Sequence, residues 1–402
     1  MANRFYVVTV RHPEGERLPI LLDADRQPIV WINLYIIRTL RPRLSFNSLL
    51  KCTRILGYLF DWAARQKSFS LRTRLTSGNG LTHAEIEGSL YPWLRKNFRS
   101  NRKVRTLVVR SGSVDYRLDV VWEFIKWHMQ DAITRLPIGS GEIGEVEAKL
   151  KACKHAFENL SRGRHHSPVH ARALSDVELE RLLSICQPGS LENPWKKPYQ
   201  ERNWLIIRLM VMLGVRRGEL LKVRVSDCHL SRSIPEIRIE RSPDDVRDPR
   251  INEPQVKTES RQLPCDRQLA SDLNQFIVRT RVKIPRADRT PYLFQSRTGQ
   301  PMSLNRVNGI LEQIGKRHPE FADLHPHCLR STCATGFRAM ALKRGLEEAQ
   351  VEKDMMYFFG WRSEGSIAPY VDDAIRGEAA EIGLIYQAQL FGPSSRLGDS
   401  RD

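Results

Sequence analysis

The chain has 402 residues, enough to bury a substantial core and to form two domains. Its 64 Lys and Arg residues against 46 Asp and Glu leave a formal charge of +18. That balance favours a polyanionic partner, nucleic acid ahead of a membrane surface, with simple solubility as the blander reading. No leader pattern opens the chain and no apolar run is long enough to cross a bilayer, so a soluble intracellular protein is expected. The seven cysteines (52, 153, 186, 228, 265, 328 and 333) form no Cys-x-x-Cys pair and no Cys/His cluster at zinc spacing. They read as reduced thiols, and neither a metal nor another cofactor is expected.

In chain order, residues 5–10 and 18–32 are β-prone and are punctuated by His12-Pro13-Glu14-Gly15. They predict a strand-bearing arm over 1–40, which either touches DNA or a neighbouring subunit or packs on its own domain. Ser45–Gln66 turns helical, with Leu49, Leu50, Ile55, Leu56, Leu59, Phe60 and Trp62 on one face and Lys51, Arg54 and Arg65 around it. Residues 70–84 read as a loop and Ala84–Asn97 as a second helix. No acid occurs between Glu87 and Asp115, while Arg95, Lys96, Arg99, Arg102, Lys103 and Arg105 crowd the same stretch. A run this one-sided is a solvated loop or a phosphate-facing surface, and the motifs downstream favour the second. Further helices are expected over Val114–Thr134, with Ser113 as cap, and over Gly141–Leu160.

A polar, basic stretch follows over Ser161–Arg172, in which His165-His166 reads as part of a hinge, and the linker is placed at 166–173. Ser175-Asp176-Val177-Glu178 is a capping box. Residues 203–213 are apolar nearly all round and predict a buried helix that delivers Gly214 and Arg216 to the domain centre. Ile234–Arg241 and Val256–Pro264 read as strands, with the charged insertion Ser242–Glu253 between them. The stretch 342–354 predicts a helix pair, 371–391 an amphipathic helix, and 392–402 a disordered tail.

Four motifs stand apart from this background. Leu213-Gly214-Val215-Arg216 runs into Glu219-Leu220, placing a carboxylate three residues after an arginine, where it can hold Arg216 or a neighbour. Lys257 precedes a strand that ends in Pro264. If Pro326 begins a helix, His327 and Arg330 share one face and together suit a phosphate oxyanion. Gly360-Trp361 is followed nine residues later by Tyr370.

In this order the motifs resemble the tyrosine recombinase, or phage integrase, family, strongly over residues 168–391 and loosely before them. The resemblance implies a mostly α fold with a small antiparallel β-sheet in the catalytic domain, in a two-domain C-shaped DNA clamp. It places a helical core-binding domain at 41–165, whose DNA-binding residues would be Arg95, Lys96, Arg99, Arg102, Lys103, Arg105, Lys51 and Arg54. The catalytic domain would span 174–391. Tyr370 would be the nucleophile, Arg216, Arg330 and His327 the phosphate ligands, with His327 also a candidate general base. Lys257 would be the general acid, Trp361 a hydrogen-bond donor and Glu219 a support.

The implied partners are double-stranded DNA and further copies of the chain in a tetrameric synapse, with an accessory recombinase or directionality factor possible. The compartment would be the bacterial cytoplasm or nucleoid. Integration or excision of a mobile element is the favoured role. A type IB topoisomerase and a non-catalytic DNA-binding relative are the alternatives. The sequence departs from the family pattern in three places: Lys257 to Pro264 spans seven residues where eight is usual, Ser331 stands where a second His is common, and Trp361 replaces a His. Lys283 and Lys222 are poorer candidates for the acid, because neither lies beside the paired strand.

Overall fold

The computed structural model describes residues 5–98, 109, 111–161, 172–363 and 367. Arg99, Arg102, Lys103 and Arg105, most of the linker, Tyr370, the segment 371–391 and the tail lie outside them. The chain divides into two compact units, Met1–Ser167 with Asp244–Ile251, and Pro168–Pro243 with Asn252–Asp402.

The first unit opens with an antiparallel pair, β1 (Phe5–Arg11) and β2 (Arg17–Asp23), in register from Phe5↔Asp23 to Arg11↔Arg17. The β-prone stretch 18–32 is strand only to Asp23. A helix, α1 (Val30–Tyr35), takes over because Ile32 and Tyr35 bury as a helical pair, and the buried Asn33 amide holds both backbone groups of Leu21. Next comes α2 (Phe46–Ala63), which presents Leu49, Ile55, Leu56, Leu59 and Trp62 to the core as its periodicity predicts, and β2 packs on it.

Where a loop was expected, α3 (Leu71–Thr76) forms. Ser70 caps it by accepting from Thr73 N at 3.3 Å, and Leu71 and Leu75, one turn apart, bury the same face. The helices α4 (His83–Glu85) and α5 (Tyr91–Leu94) are joined by a π-helical turn, Ile86–Leu90. Two long helices, α6 (Ser111–Thr134) and α7 (Gly141–Ser161), complete the unit.

Residues 244–251 join this unit through buried charge. Arg17 is fully buried and donates Nε to Arg250 O at 3.0 Å, Nη1 to Gly15 O at 2.7 Å and Nη2 to Asp248 O at 2.6 Å. Arg41 pairs with both Glu16 and Asp244. Gly15 has φ +95, and a Cβ there would lie 2.2 Å from Asp244 O, so this approach needs glycine.

The second unit begins with α8 (Asp176–Cys186), whose Ser175–Glu178 capping box forms as read. The buried helix is α9 (Lys197–Met212), followed by a single turn, α10 (Arg217–Leu220). A three-stranded antiparallel sheet, β3 (Cys228–His229), β4 (Glu236–Ile239) and β5 (Arg261–Pro264), is shorter than predicted. Pairing starts at Ile239↔Arg261, so Val256–Ser260 stays outside the ladder, and Ser260 Oγ instead takes Arg241 N at 3.0 Å.

Four helices follow: α11 (Arg267–Gln275), α12 (Leu304–Arg317), α13 (Pro326–Lys343) and α14 (Glu348–Phe359). In place of the helix pair expected over 342–354, that stretch holds the end of α13, a turn and the start of α14, and α13 packs on α9. Among the described residues no helix is long and apolar enough to cross a membrane.

Candidate active site

Glu219 is the centre of the second unit's polar interior. The end of α9 turns at Gly214 (φ +56), where a Cβ would lie 2.4 Å from the Phe359 ring. That turn sets Arg216 as the N-cap of α10. Glu219 then closes back on it, with Oε2 accepting from Arg216 N at 3.0 Å and Oε1 from Arg216 Nη1 at 3.3 Å. Glu219 has a fully buried side chain and that of Arg216 is 35% exposed, so the pair is anchored inside and open outside.

The same carboxylate gathers three more groups from distant parts of the chain. Thr258 Oγ1 donates to Oε1 at 2.8 Å and Arg261 Nη2 to Oε2 at 2.9 Å, while Arg330 Nη1 lies 3.9 Å from Oε2. Burial acts to raise the Glu219 pKa, but Arg261, Arg330 and Arg216 outweigh it and hold the group below the ordinary carboxylate value.

Arg330 is the fifth residue of α13, which starts at Pro326 and is capped by His325 Nδ1 accepting from Cys328 N at 3.2 Å. It is buried, donating to Gly214 O and, at 2.8 Å, to Phe359 O. Its guanidinium lies 5.1 Å from the Phe359 ring centroid and 5.4 Å from that of Trp361. Those two rings stack at 4.8 Å, and Trp361 is nearly buried. Gly360 makes this possible by ending α14 at φ +63, where a Cβ would sit 2.8 Å from Thr258 Cβ.

His327, one helical turn before Ser331, faces outward. Partial burial, with the charges of Arg330, His325 and Arg216, holds its pKa below the ordinary histidine value, so the ring is neutral at pH 7. Ser331 spends its hydroxyl on His327 O at 2.9 Å, and its Oγ lies 3.5 Å from His327 Nδ1. Lys257 is exposed, in the segment before β5, next to the Thr258 that Glu219 holds. Lys222, by contrast, is buried in an ion pair with Glu253.

Structure thus brings Arg216, Glu219, Arg330 and Trp361 together, with His327 on the helix of Arg330 and Lys257 beside Thr258. Sequence reading missed Arg261 and Thr258. The signal for Arg261 was its parity with Leu263: both lie on the buried face of β5, an unusual place for an arginine. Among the described residues no group of His, Cys, Asp and Glu could hold a metal ion.

In the first unit, cations lie over aromatic rings: Lys51 Nζ 3.6 Å from the Tyr116 centroid, Lys96 Nζ 4.4 Å from Trp93, Arg95 5.6 Å from Tyr91. Lys51, Arg95 and Lys96 are exposed and Arg54 is half-buried.

Comparison with known proteins bears on this arrangement. The family model described as the phage integrase family matches residues 172–374. The type 1 fimbriae regulatory protein FimB of Escherichia coli K12 is 24% identical over 169 residues, covering 42% of this chain and 72% of that protein. Among solved structures, the Tn1549 transposon integrase in complex with a circular intermediate DNA aligns with a TM-score of 0.50. It is 15% identical, covers 88% of this chain and 98% of its own, and at that identity bears on the fold alone.

Proposed function

The chain belongs to the phage integrase family of tyrosine recombinases, and from that premise we propose that Tyr370 attacks a scissile phosphodiester in duplex DNA to form a 3′-phosphotyrosyl bond. The bond energy is kept in the protein–DNA link, so religation needs no ATP. Arg216 and Arg330 neutralise the charge that develops on the non-bridging oxygens. His327, neutral at pH 7, accepts the tyrosine proton or contacts the phosphate. Lys257 protonates the 5′ leaving oxygen. Trp361 packs behind the phosphate and donates its indole N–H. The first unit, through Lys51, Arg54, Arg95, Lys96 and the basic run after them, tracks the DNA backbone. Copies of the chain act together in a synapse, and the role is integration or excision of a mobile element.

The observation that carries this reading is the meeting of Arg216 and Arg330, far apart in sequence, on one buried carboxylate, with the guanidinium of Arg216 partly open to solvent. A suicide DNA substrate tests it. The wild type is expected to form a covalent adduct, and Tyr370→Phe to bind the same DNA without one. An adduct with Tyr370→Phe sinks the assignment and points to Tyr357 or Tyr386. Supercoil relaxation with no site preference would replace the recombinase with a topoisomerase.

A further inference from the structure

Arg261 is 5% exposed and has all three of its donor groups committed. Nε donates to Phe358 O at 2.8 Å, Nη1 to Thr258 Oγ1 at 2.9 Å and Nη2 to Glu219 Oε2 at 2.9 Å. One carboxylate therefore meets three guanidiniums, at 2.9 Å from Arg261, 3.3 Å from Arg216 and 3.9 Å from Arg330. The nearest, like that of Arg330, is turned inward, and of the three only Arg216 is open to solvent. A buried carboxylate must be compensated by its closest cation, and whichever cation compensates it has less field to offer elsewhere.

We propose that Arg261 is a positioning residue for phosphodiester cleavage. By neutralising Glu219, it leaves the charge of Arg216 and Arg330 to the scissile phosphate. Its bond to Phe358 O, beside that of Arg330 to Phe359 O, also holds the end of α14 from which Trp361 and the tyrosine segment depart. Without Arg261, Glu219 turns to Arg216, already in contact through Nη1, and draws it off the phosphate. Removing the charge of Glu219 then reverses part of the defect. This inference rests on the reading of Arg216 and Arg330 as phosphate ligands.

Its test is a double-mutant cycle on single-turnover cleavage of a suicide DNA substrate at saturating protein. Wild type and Tyr370→Phe run alongside, so that a failure of the nucleophile assignment shows separately. Arg261→Met should slow cleavage of bound DNA about 100-fold while DNA affinity changes less than about threefold. Adding Glu219→Gln to Arg261→Met should recover about tenfold, a coupling that loss of structure alone does not produce. Arg261→Lys, which keeps the charge but not the three-way fork, should fall between wild type and Arg261→Met.

If Arg261→Met does not fold, the comparison is made between Arg261→Lys and its Glu219→Gln double variant, where recovery is again expected. Cleavage by Arg261→Met within threefold of wild type overturns the proposal. So does a double variant no faster than its Arg261 parent.

Discussion

Two sets of cations, one in each unit, are held in opposite ways. In the first, Lys51, Arg95 and Lys96 lie over the faces of Tyr116, Tyr91 and Trp93, exposed to solvent and to salt. In the second, Arg261 and Arg330 are buried and fixed by carbonyls and a carboxylate, and of the three arginines around Glu219 only Arg216 reaches outward. A cation on an exposed ring is held by about 0.5–1 kcal/mol and stays mobile enough to follow a backbone whatever its sequence. A buried network is set before the substrate arrives, so no reorganisation is needed when charge develops on phosphorus. Under the proposed function, grip and chemistry call for different physics.

The largest expected break in that contrast comes from Arg330→Ala. It removes a preorganised donor and frees the carbonyls of Gly214 and Phe359, so cleavage at saturating DNA should fall about 10²–10³-fold. A single-turnover rate within tenfold of wild type would remove Arg330 from the chemistry.

Acid should separate the units next. His128 is buried among Trp31, Tyr35, Phe124 and Trp127, and burial lowers its pKa from 6.5 to about 4. Its folded value lies below its unfolded one, so the unfolded chain takes the proton first. The contribution is whole above about pH 6.5 and is lost as pH falls through 4, on the order of 3 kcal/mol in all. Glu219 is lowered too, so its contribution is whole above the ordinary 4.5 and is lost only as pH falls through its lower folded value. Hydrogen exchange between pH 7 and 4.5 should therefore show α6 loosening before α10 and α13. The reverse order would contradict the His128 account.

A smaller effect is expected at Gly360. Alanine there must hold φ +63 with its Cβ 2.8 Å from Thr258 Cβ, costing about 1–3 kcal/mol in denaturant unfolding and displacing Trp361 from Phe359. The smallest change belongs to the first unit. Lys51→Ala and Lys96→Ala should each alter stability by less than about 1 kcal/mol, and each should flatten the slope of log affinity against log salt by about 0.9. An unchanged slope would make these cations mere surface.

Much of the site was legible because its signals are local. Pro326 starting α13, the Ser175 capping box, the apolar run of α9 and the glycine ahead of Trp361 each act within a turn or two of chain. They fixed which side chains share a face. The sequence by itself determined the order of Arg216, Lys257, His327, Arg330, Trp361 and Tyr370, the mostly helical character and the basic charge.

Only the tertiary structure decided that Glu219 is the shared counter-ion, that Arg261 spans it and the end of α14, and that residues 244–251 pack with β1 and β2. It also decided that α3 replaces a loop, because two leucines found a core to fill. The physical reason is range. Helix periodicity and caps are written in neighbouring residues, whereas an ion pair between Arg261 and Glu219 forms because the fold brings two side chains 42 positions apart within 2.9 Å, and nothing in either segment alone records its partner.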